Sequence, residues 1–375
     1  MAPEDSEFVI VGAGLLGLAT AAALTRRGRQ VTVLEQATAG HPGAGSKGSC
    51  RIFRLGYPDP PYVALARQAR DFWTDLEQAQ RTQLLTPAPQ LTFGTELGQV
   101  HQAMQAAGAR CELLPAVEAG RWFPAVRVPG PVLHEPDSSV INASAALASL
   151  AGALPDIIRE NTKVTALQDD GRRVTVSTGA ERLACRAVIV TAGPWTARLL
   201  GTAGISLPAA ATQEQIGYLG LPGAVLPAPA VRPDLPILME YDRGHACYGL
   251  PVPGAPLYKA GLHHGGPATD PDQQDQDPDP DLAGELAGFV RRHLPGLPAD
   301  PVSYERCIYD NSPDEDFIIG RIGNVVIGSG TSGHGFKFGP LLGDWLAALA
   351  TGEPAGLATQ HAELAARFSP RRFTG

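Results

Sequence analysis

The sequence predicts an α/β fold that opens with a Rossmann-like nucleotide-binding unit. Three observations carry this expectation. A strand, a Gly-rich turn, a helix and a second strand fit into the first 36 residues. A buried strand, Ala187-Val188-Ile189-Val190-Thr191, runs into Ala192-Gly193-Pro194-Trp195. A late strand, Val325-Val326-Ile327-Gly328, leads into a third Gly-rich stretch ending at Phe336. Strands alternating with helices argue for βαβ units and a parallel sheet.

The first unit is the most explicit. Phe8-Val9-Ile10-Val11 is an apolar β run, and Gly12-Ala13-Gly14-Leu15-Leu16-Gly17 follows it. An Ala/Leu-rich helical stretch reaches Arg26-Arg27-Gly28, and Val31-Thr32-Val33-Leu34 forms the next strand, closed by Glu35. Together these make one βαβ unit. Residues 89–137 mix short β-like runs with helical pieces, and 143–154 read as a helix. Thr162 to Leu167 and Val174-Thr175-Val176 flank the turn Asp169-Asp170-Gly171 as a strand pair. Residues 266–281 are rich in Asp, Pro and Gln. Asp275, Asp277 and Asp279 have the spacing of a calcium loop, but Pro280 and Leu286 stand where such a loop needs Gly and Glu. A solvated surface loop is expected there. A helix from about Pro340 to Thr351 closes the pattern.

The chain has 375 residues, enough for about two domains. It holds 38 Asp+Glu against 30 Lys+Arg, a net charge of -8, which lacks the basic excess of nucleic-acid or anionic-membrane binders. An acidic start and the lack of an 18-residue apolar run predict neither signal peptide nor membrane span, so a cytoplasmic location is expected. Cys50, Cys111, Cys185, Cys247 and Cys307 are scattered and odd in number, which argues against a disulfide framework or a cysteine zinc site. No metal site is expected. Neighbouring His263 and His264 should point to opposite faces of a strand.

In the Gly-x-Gly-x-x-Gly run, Gly12 allows a tight turn, Gly14 lets backbone approach a pyrophosphate, and Gly17 lets helix and strand pack closely. The helix N-terminus offers free N–H groups to phosphates. Glu35 sits where a carboxylate holds adenosine ribose hydroxyls, and it would repel a 2′-phosphate, so NADP is disfavoured. One such unit would suffice for NAD. Three Gly-rich strand ends spread over the chain suit a longer ligand, and FAD fits better.

Five motifs in order then resemble the D-amino-acid-oxidase-like FAD amine oxidases, closest to the monomeric sarcosine oxidase and N-methyltryptophan oxidase branch. They are the N-terminal fingerprint, Gly45-Ser46-Lys47-Gly48-Ser49-Cys50-Arg51-Ile52-Phe53-Arg54, Tyr258-Lys259-Ala260-Gly261-Leu262-His263, Glu305-Arg306-Cys307-Ile308-Tyr309, and Ser332-Gly333-His334-Gly335-Phe336-Lys337. The resemblance implies an α/β (α+β) architecture. A Rossmann-like FAD-binding domain (1–88, 138–212 and 304–375) would interleave with a substrate-binding domain (89–137 and 213–303) on a mixed, largely antiparallel sheet.

The resemblance also implies roles. Cys307 matches the cysteine joined by a thioether to the flavin 8α-methyl, with Arg306 as a cation that could assist its ionisation. Arg54 and Lys337 match the pair that holds a substrate carboxylate. Lys259 matches the lysine that promotes reaction with O2, and Arg51 adds to the same positive field. Tyr248 and His263 match residues of the substrate cavity, His263 with an influence on amine protonation. Ser46, Val164, Ala192, Gly193, Trp195 and Gly333 are expected against the cofactor. Gly335, Phe336 and Lys337 are expected near its pyrimidine end. Lys47 departs from the pattern, standing where close sarcosine oxidases carry a histidine.

The resulting expectation is a monomeric covalent FAD oxidase of secondary (N-methyl) or cyclic amino acids. Hydride leaves the carbon alpha to nitrogen for flavin N5, an imine forms, and O2 becomes H2O2. The rivals are a same-fold dehydrogenase with another electron acceptor, a biosynthetic oxidase of an unusual cyclic imino acid, and a flavin-binding subunit without turnover.

Overall fold

A computed structural model describes residues 6–223, 232, 234–242, 245–353 and 360–373. Two eight-stranded sheets and one three-stranded sheet make up its β-structure. The first sheet is centred on Ser6–Val11, which pairs in parallel with Val31–Leu34 on one side and Arg182–Val190 on the other. Val325–Ser329 extends this parallel core from Arg182–Val190. The expected hairpin exists: Val164–Asp169 pairs antiparallel with Val174–Thr178 at the sheet edge. The segments that pair at the centre, Phe8–Val11, Val31–Leu34, Ala187–Val190 and Val325–Ser329, are largely apolar and buried, as a sheet covered on both faces requires.

Helix Leu15–Arg26 and helix Gly339–Thr351 cross at very short range against this sheet. A Cβ at Gly343 would lie 2.5 Å from the Ala19 Cβ, and one at Gly339 would lie 2.3 Å from Leu15 Cδ2. The small residues therefore set the helix spacing. Helix Pro60–Gln80 starts on two prolines, whose missing N–H groups cost nothing at a first turn. It buries Trp73, whose Nε1 donates to the Lys337 carbonyl at 2.7 Å.

The second sheet runs Ser303–Asn311, Ala210–Gly220, Leu257–His263, His245–Pro251, Ile237–Asp242, Gln90–Gly94, Val132–Glu135, Glu112–Leu114. Its pairs are antiparallel except Ile237–Asp242 with Gln90–Gly94. Sheet membership places Ser303–Asn311 here through nine residue pairs with Ala210–Gly220, although the sequence division assigned 304–311 to the cofactor part. The third sheet, Cys50–Phe53 with Ser139–Asn142 and Leu85–Pro87, carries Arg51 near the junction of the other two.

One local expectation is corrected. Strand Leu257–His263 ends at His263, and His264 turns off it with φ 58°. The two imidazoles therefore lie side by side, with centroids 4.2 Å apart, and do not face opposite ways. The Asp/Pro/Gln segment is the mostly exposed surface loop expected, and side chains tether it to the second sheet and to the Gly-rich segment before Cys50. The Gln213 side chain bonds the Asp275 backbone in both directions, Gln215 does the same with Asp279, and Gln274 donates to Gly43 O. Asp279 then caps helix Pro280–His293 by accepting from Asp281 N and Leu282 N. Among the described residues no helix is long and apolar enough to cross a membrane, and no cluster of His, Cys, Asp and Glu has metal-ligating geometry.

Candidate active site

One elongated cavity of about 440 Å³ runs from the Gly-rich turn of the first strand to the inner face of the second sheet. At its nucleotide end, Gly12 adopts φ 100°, and a Cβ there would lie 2.6 Å from Thr191 O. Gly14 begins helix Leu15–Arg26 without a capping side chain of its own. The Ser46 hydroxyl serves instead, accepting from Leu15 N at 3.1 Å. Gly17 does not line the cavity; a Cβ there would sit 1.9 Å from Gly12 O. Its place is the helix–strand contact that holds the turn.

Glu35 accepts from Ala13 N at 2.8 Å and Ala37 N at 3.0 Å, which fixes its carboxylate at the cavity wall. His41 lies against it, Nε2 to Oε1 at 3.6 Å, and faces the Trp195 ring. Sequence reasoning missed His41, because nothing in a lone histidine marks it. Val164, Ala192, Gly193 and Trp195 line the same end. The rim is tied by Asp272, which accepts from Trp195 Nε1 at 2.7 Å and from Arg198 at 2.6 Å. The acidic segment thus closes on the nucleotide end.

At the far end, Gly333, Gly335, Phe336 and Lys337 meet Arg51, Arg54, Tyr248, Lys259, His263 and Cys307. Cys307 lies on Ser303–Asn311 with its side chain toward the cavity. Burial raises its thiol pKa, while Arg51 and Lys259 pull it down. Arg306 is not the assisting cation. Successive strand residues alternate in direction, and Arg306 bonds Gln215 Oε1 at 3.1 Å and lies 3.8 Å from Asp279. Lys47 lies outside the cavity, 3.9 Å from Glu305. Its carbonyl accepts from Arg51, whose guanidinium also bonds Cys50 O and Gly45 O and stands over the Phe336 ring at 5.4 Å.

Lys259 is buried and donates to Cys50 O at 2.9 Å. Burial and Arg51 both lower its pKa. Tyr248 is enclosed on the neighbouring strand, and burial raises its phenol pKa. His263 faces the Tyr309 hydroxyl at 3.3 Å. Its imidazole is held well below its ordinary pKa by burial and by His264, His334, Arg54 and Lys337.

Arg54 and Lys337 both pack on Tyr57, the lysine at its hydroxyl end. The Arg54 Cζ lies 4.3 Å and the Lys337 Nζ 5.2 Å from the Tyr57 ring centroid. Both side chains are nearly sealed from solvent, at 8% and 4% exposure. Burial works against the Arg54 charge, but Tyr241, Tyr57 and Glu135 outweigh it and raise its pKa. Glu135 is the buried counter-charge. It accepts from Gly56 N at 2.8 Å, Leu55 N at 3.3 Å, Gln90 at 2.8 Å and Thr92 at 3.2 Å. Sequence reasoning missed it, since only strand pairing brings residue 135 to residue 54. Tyr57 and His334 were also missed, although both lie in or beside the motifs.

A buried arginine beside a buried lysine, a fixed carboxylate and a Gly-lined groove at a helix N-terminus fit a ligand with a diphosphate-linked nucleotide at one end and an anionic partner at the other. Gly12 and Gly14 lack the Cβ atoms that would crowd Thr191 O and Ser46 Oγ, so the turn closes tightly and presents the helix N-terminus to FAD.

The comparisons agree with this geometry. The family model described as DAO, FAD dependent oxidoreductase, matches residues 7–349. The peroxisomal sarcosine oxidase of Mus musculus is 34% identical over 356 residues, covering 90% of each chain. The monomeric sarcosine oxidase of Bacillus sp. (strain NS-129) is 28% identical over 361 residues, covering 92% of each. NikD, an unusual amino acid oxidase essential for nikkomycin biosynthesis, superposes with TM-score 0.81 at 26% identity, over 92% of this chain and 94% of that one.

Proposed function

Because this chain belongs to the FAD dependent oxidoreductase (DAO) family, we propose that it is an oxidase of secondary (N-methyl) or cyclic amino acids carrying a free carboxylate. The single observation that carries the substrate reading is the buried pair Arg54 and Lys337, both packed on Tyr57. A buried arginine and a buried lysine side by side are costly to hold charged together unless an anion arrives. A planar guanidinium gives bidentate carboxylate recognition, and the lysine adds a point charge. Simple amines lack the group that this pair would hold.

The chain's residues would hold FAD by Gly12, Gly14 and the helix N-terminus at the diphosphate and by Glu35 at the ribose. Ser46, Val164, Ala192, Gly193 and Trp195 line its path, with Gly333, Gly335, Phe336 and Lys337 about the ring. Cys307 is the residue for covalent attachment. Bound FAD supplies the hydride acceptor and the site of O2 reduction, which together give an imine and H2O2. Tyr248 and His263 wall the substrate end and exclude water. Lys259 and Arg51 place fixed positive charge where oxygen reduction develops negative charge.

The relatives named sarcosine oxidase, one of them monomeric, support a monomer acting on a small molecule; a cytoplasmic location without nucleic-acid or membrane partner belongs to the same reading. The interleaved two-part division belongs to this reading, with Ser303–Asn311 counted in the substrate part. Anaerobic bleaching of the yellow enzyme by sarcosine, N-methyltryptophan, proline, pipecolate and a carboxylate-free N-methylamine tests it. Bleaching by a carboxylate compound and not by the simple amine is expected. Equal bleaching by the simple amine would refute the carboxylate requirement.

A second reading, a biosynthetic oxidase of an unusual cyclic imino acid, is favoured by the superposition on NikD. It predicts that no member of the panel bleaches the enzyme.

A further inference from the structure

The hydrogen bonds of Lys337 point to a role beyond holding a carboxylate. Its Nζ donates to Tyr57 Oη at 2.8 Å and to His334 O at 2.9 Å. Neither acceptor is an anion. The Tyr57 hydroxyl, already accepting from Lys337, has its own proton free for His334 Nδ1 at 3.1 Å. The other ring nitrogen of His334, Nε2, faces Glu315 O at 3.1 Å and can only donate to that carbonyl. The directions are therefore fixed from Lys337 through Tyr57 and His334 to Glu315. Every group in the chain is satisfied while Tyr57 and His334 are neutral.

A neutral alkylamine has two N–H bonds and one lone pair. Tyr57 Oη and His334 O take both N–H bonds, and the lone pair is left over on a side chain that lines the cavity.

The charged groups around Lys337 are Arg54, across the Tyr57 ring, and Glu135, whose oxygens are occupied by four donors. His334 and His263 complete the titratable neighbours. Burial and Arg54 push the Lys337 pKa well below its ordinary value, and Glu135 opposes them.

We propose that Lys337 meets the substrate as a neutral amine and takes the proton of the substrate's ammonium. An N–H bond of the substrate breaks and its electron pair stays on the substrate nitrogen. A new N–H bond forms at Lys337 Nζ. No electron changes hands, and the charge of the complex is unchanged. One transfer thus frees the lone pair that hydride removal requires and charges the second cation beside the carboxylate.

In an α-amino acid the nitrogen and the carboxylate share one carbon, so a group at the carboxylate is within reach of the nitrogen. His263 is the weaker candidate. Its Nδ1 is engaged by Tyr309, and an imidazole in the same positive field is a poorer base than an alkylamine. Tyr57 and His334 are positioning residues in this scheme. The inference rests on the carboxylate reading of Arg54 and Lys337.

The test is calorimetry of methoxyacetate binding to the holoenzyme near neutral pH, in buffers of different ionisation enthalpy. The ether has the carboxylate but no basic nitrogen, so the proton for Lys337 must come from the buffer. Uptake of about one proton per bound methoxyacetate is expected, and none in Lys337→Arg, whose guanidinium is always charged. Should the arginine variant not fold, Lys337→Met serves, again with no uptake. Binding without uptake in the wild type overturns the proposal, as does equal uptake in wild type and variant. Failure of the carboxylate reading reads differently: methoxyacetate would not bind, or its affinity would be unchanged by Arg54→Ala.

Discussion

Lys259 and Cys50 are joined by a 2.9 Å hydrogen bond from the buried ammonium to the strand carbonyl, which links the second sheet to the three-stranded sheet beneath the cavity. The bond fixes a positive charge at one point, next to Arg51 on the same strand as Cys50. A preorganised charge of this kind stabilises negative charge as it develops, and removing one such donor typically costs about 100-fold or more. Lys259→Met should therefore slow reoxidation by O2 on the order of 100-fold, with flavin reduction by substrate changed only a few fold. Stopped-flow traces of the two half-reactions check this. Equal losses in both would remove the oxygen role.

Cys307, like Cys50, lines the cavity together with Arg51 and Lys259. The buried thiol has a raised pKa that these two cations oppose. Cys307→Ser should leave FAD extractable into the supernatant after acid precipitation, whereas wild-type flavin stays with the protein. Flavin retained by the serine variant would show another attachment or none at Cys307.

Arg54→Ala should raise KM for carboxylate substrates on the order of 1,000-fold, in line with the 3–5 kcal/mol scale of breaking a buried charge pair. It should also destabilise the fold by a few kcal/mol, because Glu135 would lose its guanidinium neighbour. Arg54→Ala with Glu135→Gln separates the two effects. The double variant should recover stability while KM stays high. Recovery of KM together with stability would mean that the alanine variant was merely misfolded.

The cofactor end was legible in the sequence because its signal is local. Gly12, Gly14, Gly17 and Glu35 lie in one βαβ unit, and short-range periodicity places them. The substrate end was legible as motifs, because Arg51, Arg54, Lys259, His263, Cys307 and Lys337 sit in short segments of recognisable composition. Strand pairing between distant segments was not legible. It alone brings Glu135 toward Arg54, and it turns Arg306 away from the cavity while Cys307 faces in. His264 defeated the alternation rule because the strand stops one residue earlier and the chain turns with positive φ. The rim of the nucleotide end was missed for a related reason. Asp272 reads as one acid in a polar run, and only the fold sets it beside Trp195 and Arg198.

Asp310 is a further product of that distant packing. It follows the cavity residues Cys307, Ile308 and Tyr309, and it is buried. It accepts from Ser329 Oγ and Gly330 N, both at 2.8 Å, and so ties the second sheet to the late Gly-rich loop. Burial raises its pKa to about 6, and the two donors oppose that rise. A carboxyl whose folded pKa is raised holds its proton more tightly in the folded state than in the unfolded state. Its contribution to stability is therefore fully present below the unfolded pKa near 4 and is lost as pH rises through about 6. The shift corresponds to about 3 kcal/mol at most. Asp310→Asn keeps an acceptor oxygen and cannot ionise. Relative to wild type, this variant should gain stability between pH 4.5 and pH 7, approaching that limit, and then stay level. Denaturant unfolding of both proteins across this range checks the prediction. A difference independent of pH would show that Asp310 does not titrate there.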